Sequence, residues 1–142
     1  MQVRLRHMGY AALTAGLAVT LGACHRAPPS LAPKTVPVAV EVRCSGNQTF
    51  VSVDPWLLEL NLGDAAEWSL RPNSTVYSVD VAPKQGPWPF KGNPQHGNAT
   101  NPARSGGAAS VHGRHKYTIT AICGTQDQPG QTVVIDPDMD IK

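Results

Sequence analysis

Motif chemistry is scarce in this 142-residue chain. It has no H-E-x-x-H zinc signature, no phosphate-cradling glycine loop and no paired-carboxylate motif. Ser45, Ser69 and Ser74 sit in no nucleophile-elbow or triad pattern. Triads assemble in space rather than in sequence, so a hydrolase stays open as a third reading that only a structure can address. No C-x-x-C is present, which removes the usual spacing of a thiolate metal or redox site. Charge of one sign is lacking too. Twelve Lys and Arg face ten Asp and Glu, and two of the cations, Arg4 and Arg6, fall in the first 23 residues. The remainder is formally neutral, without the basic footprint of a nucleic-acid binder. No apolar run reaches the roughly 20 residues of a spanning helix, and no amphipathic helix is legible beyond residue 23.

What is present starts at the N-terminus. "MQVRLRHMGY" carries Arg4 and Arg6 and no acid, and "AALTAGLAVTLGA" is apolar and rich in small residues. A positive end, a short apolar stretch and small residues before a cut are the parts of a secretory signal. A transmembrane anchor is the competing reading, against which the shortness of the run counts. "LGAC" (Leu21, Gly22, Ala23, Cys24) resembles the lipobox of bacterial lipoproteins. The resemblance implies cleavage before Cys24, a thioether-linked diacylglycerol on its sulfur and acylation of its new amine. Two or three acyl chains give stable anchoring where one does not. An ordinary signal peptide with an incidental cysteine is the alternative. His25, where an aspartate would mark inner-membrane retention, resembles the outer-membrane pattern. The expectation is a signal peptide over 1–23 and a protein held in the bacterial cell envelope, at the outer membrane and facing the periplasm.

With Cys24 carrying lipid, Cys44 and Cys123 remain, an even pair in an oxidising compartment. They are expected to be joined, closing a loop of about 80 residues for roughly 4 kcal/mol in the chain-entropy model. Free buried thiols or a metal pair are the alternatives. Residues 24–37 include Pro28, Pro29, Pro33 and Pro37. Proline at this density favours an extended tether of about 3 Å per residue, some 40 Å in all.

From Val38 the text changes to period two. Val38, Val40 and Val42 share a face; so do Thr49, Val51 and Val53; Leu58, Leu60 and Leu62; Ala66, Trp68 and Leu70; Tyr77, Val79 and Val81; and Tyr117, Ile119, Ala121 and Cys123. Val133 and Ile135 close the series. Short alternating runs bounded by Gly, Pro, Asn and Asp are strands. The pattern predicts an all-β fold over 38–142, an antiparallel Greek-key β-sandwich. Residues 82–110, rich in Pro, Gly and Asn, break the rhythm as one long loop, which in a small domain is functional or disordered.

"PWLLELNLGDAAEW" is similar to the P-x-x-L-x-V-x-x-G-D-x-V-x-W motif of cupredoxin-like domains, with Pro55, Leu58, Leu60, Gly63, Asp64 and Trp68 in register. "GRHKYTITAIC" and "TVVIDPDM" resemble the last two strands of the same fold. An immunoglobulin-like sandwich is the alternative. The resemblance implies a copper site of two imidazoles, a thiolate and an axial methionine, and the sequence departs from it there. Thr75 and Val76 stand where the first histidine belongs, Ala121 stands at the cysteine, and Met139 lies beyond the last strand. The fold is therefore expected without copper.

His96, His112 and His115 are the remaining metal candidates, although the spacing of His112 and His115 sends them to opposite faces of a strand unless Gly113 bends it. Trp88 and Phe90, between prolines in the 82–110 loop, either form a partner-docking patch or fold back to plug the sandwich. "DPDMD" (136–140) is a calcium candidate or a frayed terminus. The triplets "NQT", "NST" and "NAT" match glycosylation acceptors and mean turn composition in a bacterial protein. The expected function is non-catalytic: a lipid-anchored module that binds or scaffolds an envelope protein or a small ligand through the 82–110 loop. It needs no cofactor and no nucleic acid, and its membrane contact is the lipid. The rival is periplasmic copper handling or electron transfer through the three histidines.

Overall fold

The computed structural model describes residues 32–142. The expected signal peptide over 1–23, Cys24 and most of the expected tether lie outside them. The described residues form ten strands: β1 Thr35–Ser45, β2 Gln48–Asp54, β3 Leu57–Leu60, β4 Ala65–Leu70, β5 Val76–Pro83, β6 Gly97–Asn98, β7 Ala103–Arg104, β8 Gly113–Gly124, β9 Pro129–Ile135 and β10 Asp138–Ile141. One sheet runs β2-β1-β4-β7; the other runs β3-β10-β8-β5-β6, with β9 also paired to β8. The all-β sandwich is thus present, but its sheets are mixed rather than purely antiparallel. β1 and β4 are parallel, as are β3 and β10.

The chain path explains the parallel pairs. β1 turns back into β2 through Gly46 and Asn47. β2 and β3 then form one run interrupted at Pro55, where the chain leaves the first sheet for the second. A second reversal, at Asn61–Asp64, returns β4 to the first sheet on the far side of β1 and in its direction. β9 and β10 are likewise one line interrupted at Pro137. They share one edge of the long β8, β10 opposite Gly113–Lys116 and β9 opposite Ile119–Gly124. Proline cannot donate to a ladder, so both breaks fall where pairing stops.

Three boundaries differ from the sequence expectation. The domain begins before Val38, because Thr35–Pro37 already pair with Ala65–Glu67. "DPDMD" is no frayed end: it enters β10, where Met139 is fully buried. Residues 82–110 are no structureless loop. They contain β6, β7 and the bridges Phe90–Ala109 and Gln95–Arg104. Backbones approach closely here; a Cβ on Gly92 would lie 1.9 Å from the Gly106 carbonyl oxygen.

The core follows the alternation. Val38, Val40, Val42, Leu58, Trp68, Val79, Tyr117, Ile119 and Ala121 lose all solvent contact. Leu62 does not join them, because β3 ends at Leu60 and the turn carries Leu62 outward. A bulge between Val76 and Ser78 turns Val76 inward and leaves Tyr77 half-buried, contrary to simple period two. Trp68 is the central ring, 5.6 Å from Tyr117 between centroids and 6.3 Å from Trp88. Its Nε1–H donates to the Tyr117 hydroxyl at 3.4 Å. Burial pushes the Tyr117 hydroxyl up to about 12, against the opposing effect of the Trp68 hydrogen bond.

Two ties fix opposite ends. At the end where β1 and β4 begin (the base), the buried Asp64 carboxylate accepts the backbone N–H groups of Lys34 at 3.0 Å and Asn61 at 2.9 Å. At the other end (the tip), Cys44 of β1 and Cys123 of β8 form a disulfide between the sheets, with Cα atoms 6.2 Å apart and a sequence separation of 79. This bears out the expected pairing.

Replacing both cysteines with alanine should lower the unfolding free energy by about 2–4 kcal/mol in urea titration. Asp64 supplies a pH test. Burial pushes its carboxyl up, but the two backbone donors, the Lys34 charge and the Asn61 amide outweigh burial, so its pKa lies below the ordinary value. The stabilisation is therefore present above about pH 3.9, the unfolded value, and fades as pH falls through the folded value. Asp64→Asn should cost about 1–3 kcal/mol near neutral pH and flatten the acid limb of the stability profile.

Candidate functional site

The tip gathers the β1–β2 hairpin, the 71–75 connection and the 124–128 turn around the disulfide. Thr75 joins both sheets here. Its N–H donates to the Val42 carbonyl at 2.9 Å, its hydroxyl accepts the Cys44 N–H at 2.7 Å, and its carbonyl accepts the Gly124 N–H at 3.0 Å. Val76 is buried opposite Cys123, and Ala121 is buried opposite Val79. At Thr75, Val76 and Ala121, the positions the cupredoxin resemblance assigns to copper ligands, stand a hydroxyl engaged with backbone and two alkyl side chains; Cys123, two residues on from Ala121, is held in the disulfide. Met139 sits on β10 opposite His115, towards the base. This donor set does not fit a blue-copper centre, which requires a thiolate with two imidazoles.

The structure separates the three candidate histidines. His96 is exposed beside β6 and pairs with the Asp80 carboxylate of β5. His115 Nε2 lies 3.2 Å from the Val111 carbonyl oxygen, and His112 is exposed at the start of β8. Gly113 does bend the chain between them, with φ +111°. Even so, among the described residues no three His, Cys, Asp or Glu side chains converge to hold a metal ion. Two of the three acids of "DPDMD" are likewise engaged. Asp136 meets Lys84 and the Thr118 hydroxyl, and Asp138 meets Arg114 and Lys116. Their hydrogen bonds, to Lys84 first and to Arg114 first, hold both carboxyls below the ordinary range. Among the sequons, Asn98 uses its side-chain oxygen to cap the Thr100 and Asn101 N–H groups at 2.9 Å. That is the turn role expected of it.

Of the two readings of Trp88 and Phe90, a docking patch or rings folded back onto the sandwich, the structure has the rings folded back. Phe90 is 5 % exposed and pairs with Ala109. Its ring lies 5.0 Å from that of Trp88, whose Nε1–H donates to the Ser105 carbonyl at 2.8 Å. Two rings left wet would forfeit several kcal/mol of burial, about 2 each, so the segment folds back and continues the aromatic column begun by Trp68 and Tyr117.

The surface that remains open at the tip lies on the outer face of the first sheet. The hairpin register places Arg43 opposite Phe50 and Ser45 opposite Gln48. The Arg43 guanidinium sits 4.3 Å above the Phe50 ring and is held by Glu41 at 3.1 Å. Arg43, Ser45, Gln48, Thr49 and Phe50 line a hollow of about 550 Å³, within the usual size of a small-ligand site, roughly 300–1,000 Å³. It offers a guanidinium already paired with Glu41, two hydroxyls, an amide and an aromatic face. That set suits a polar ligand with an apolar side. Sequence reasoning missed this hollow. Its only signal was the cross-strand pairing of Arg43 with Phe50, which requires knowing the hairpin register. A second exposed apolar area, Trp56, Leu57 and Val134, follows the outer edge of the other sheet.

The two phenylalanines should separate cleanly on truncation. Phe90→Ala should cost about 3–5 kcal/mol of stability. Phe50, 46 % exposed, should tolerate alanine within about 0.5 kcal/mol. Thermal melts of the two variants check this. No protein-family model matches the chain, and a search of curated proteins finds no match.

Proposed function

We propose that this chain is a lipid-anchored protein of the bacterial envelope whose copper-free, cupredoxin-like domain is a non-catalytic binding or scaffolding module. The observation that carries the reading is the Cys44–Cys123 disulfide. It consumes both thiols of the domain at the end where the resemblance would put copper, and it ties the two sheets there without a metal. The cupredoxin reading draws support from the Pro55–Trp68 motif and from the strand orders, in which one strand run passes between sheets at Pro55. The parallel pairs β1–β4 and β3–β10 favour it over an immunoglobulin-like sandwich, built from antiparallel sheets. The binding surface is the Arg43–Phe50 hollow rather than the 82–110 segment, which is spent on packing. The hollow is lined by no histidine or carboxylate that could serve as a general base.

Anchoring at Cys24 is tested by mass spectrometry of the membrane-extracted chain. The reading expects an amino-terminal Cys24 peptide carrying diacylglycerol, and an intact or unacylated amino terminus would contradict it. Copper is tested by adding Cu²⁺ to the non-reduced protein and recording the visible spectrum. No intense thiolate-to-copper band is expected, whereas such a band would establish the electron-transfer alternative.

A further inference from the structure

The chain enters the described domain at its base. Pro33 lies against Gly63, where a Cβ would stand 3.6 Å from the proline ring. Lys34 is fixed on both sides, its N–H donated to Asp64 at 3.0 Å and its carbonyl accepting from Ala65 at 2.9 Å. The free tether is therefore shorter than the run of prolines suggests. Nine steps separate Cys24 from Pro33, about 28 Å at the polyproline rise of about 3.1 Å per residue. A lipid on Cys24 therefore attaches the domain through its base, the end that enters β1.

That base carries an apolar pair. Leu62 and Val111 are 44 % and 43 % exposed. Gly63 N–H donates to the Ala109 carbonyl at 2.9 Å, which ties the turn carrying Leu62 to the segment that leads into Val111. Lys34, bonded to Asp64 in the turn that carries Leu62, and His112, next to Val111 in the chain, are exposed. We propose that this base is a membrane-seating surface: Leu62 and Val111 enter the headgroup layer of the bilayer while Lys34 and His112 lie among its phosphates. The proposal rests on the acyl anchor at Cys24. Two apolar side chains are too few to hold a free protein on a membrane. A short tether makes the contact intramolecular, with an effective concentration in the millimolar range, so a weak contact suffices. Seating the base aims the tip, with the disulfide and the Arg43–Phe50 hollow, into the aqueous compartment.

The test is hydroxyl-radical footprinting of the full acylated chain in vesicles of phosphatidylethanolamine with a minor fraction of phosphatidylglycerol. His112 at the base is the reporter. His96, exposed beside β6, is the internal control. The anchored Leu62→Asp/Val111→Asp variant, altered only at exposed positions, supplies the unseated state. The His112-to-His96 oxidation ratio should rise at least about threefold in the variant as the tethered contact is lost. An equal ratio in wild type and variant, with the acyl mass present on Cys24, overturns the seating alone. An absent acyl mass overturns the anchoring reading and the seating with it.

Discussion

One covalent link, between Cys44 and Cys123, determines what the rest of this domain can be. It joins the ends of β1 and β8 across the two sheets. In doing so it removes from the tip the free thiolate that a blue-copper site requires. The neighbouring positions conform to that choice. Val76 and Ala121 are packed as core, and Thr75 spends its hydrogen bonds on Val42, Cys44 and Gly124. The closure of the tip is structural.

The base is closed by different physics. Asp64 is a buried charge, costly alone, made acceptable by two backbone donors and an amide. Its bonds tie the incoming Lys34 to the β3–β4 turn and so set the start of β1 against β4. Between base and tip stands the aromatic column of Trp68, Tyr117, Trp88 and Phe90. Covalent tie, packed rings and a satisfied carboxylate thus divide the domain into an end that receives the tether and an end that faces away from it.

Much of this was legible in the chain. Alternation at Val38–Val42, Leu58–Leu60 and Tyr117–Cys123 placed strands and core together, because one wet face and one dry face demand period two. The odd count of cysteines pointed to the disulfide once Cys24 was set aside. What the alternation could not convey was direction and depth. A strand's pattern is the same whether its neighbour runs parallel or antiparallel, so the β1–β4 and β3–β10 pairs were invisible. The 82–110 segment has no period at all, since its order comes from close backbone contacts at Gly92 and Gly106 and from two rings seeking the core. Leu62 looked like a core residue because the turn that expels it begins one residue earlier. The Arg43–Phe50 hollow was hidden because it depends on register, which hydrophobicity on the opposite face fixes only indirectly.

The account stands or falls on the state of two sulfurs, and a peptide map of the native, non-reduced protein reads it directly. Proteolysis without reductant should yield the Cys44 and Cys123 peptides as one linked species that separates on reduction. Recovery of the two as separate, alkylatable thiol peptides would contradict the account and return the tip to the copper-binding alternative.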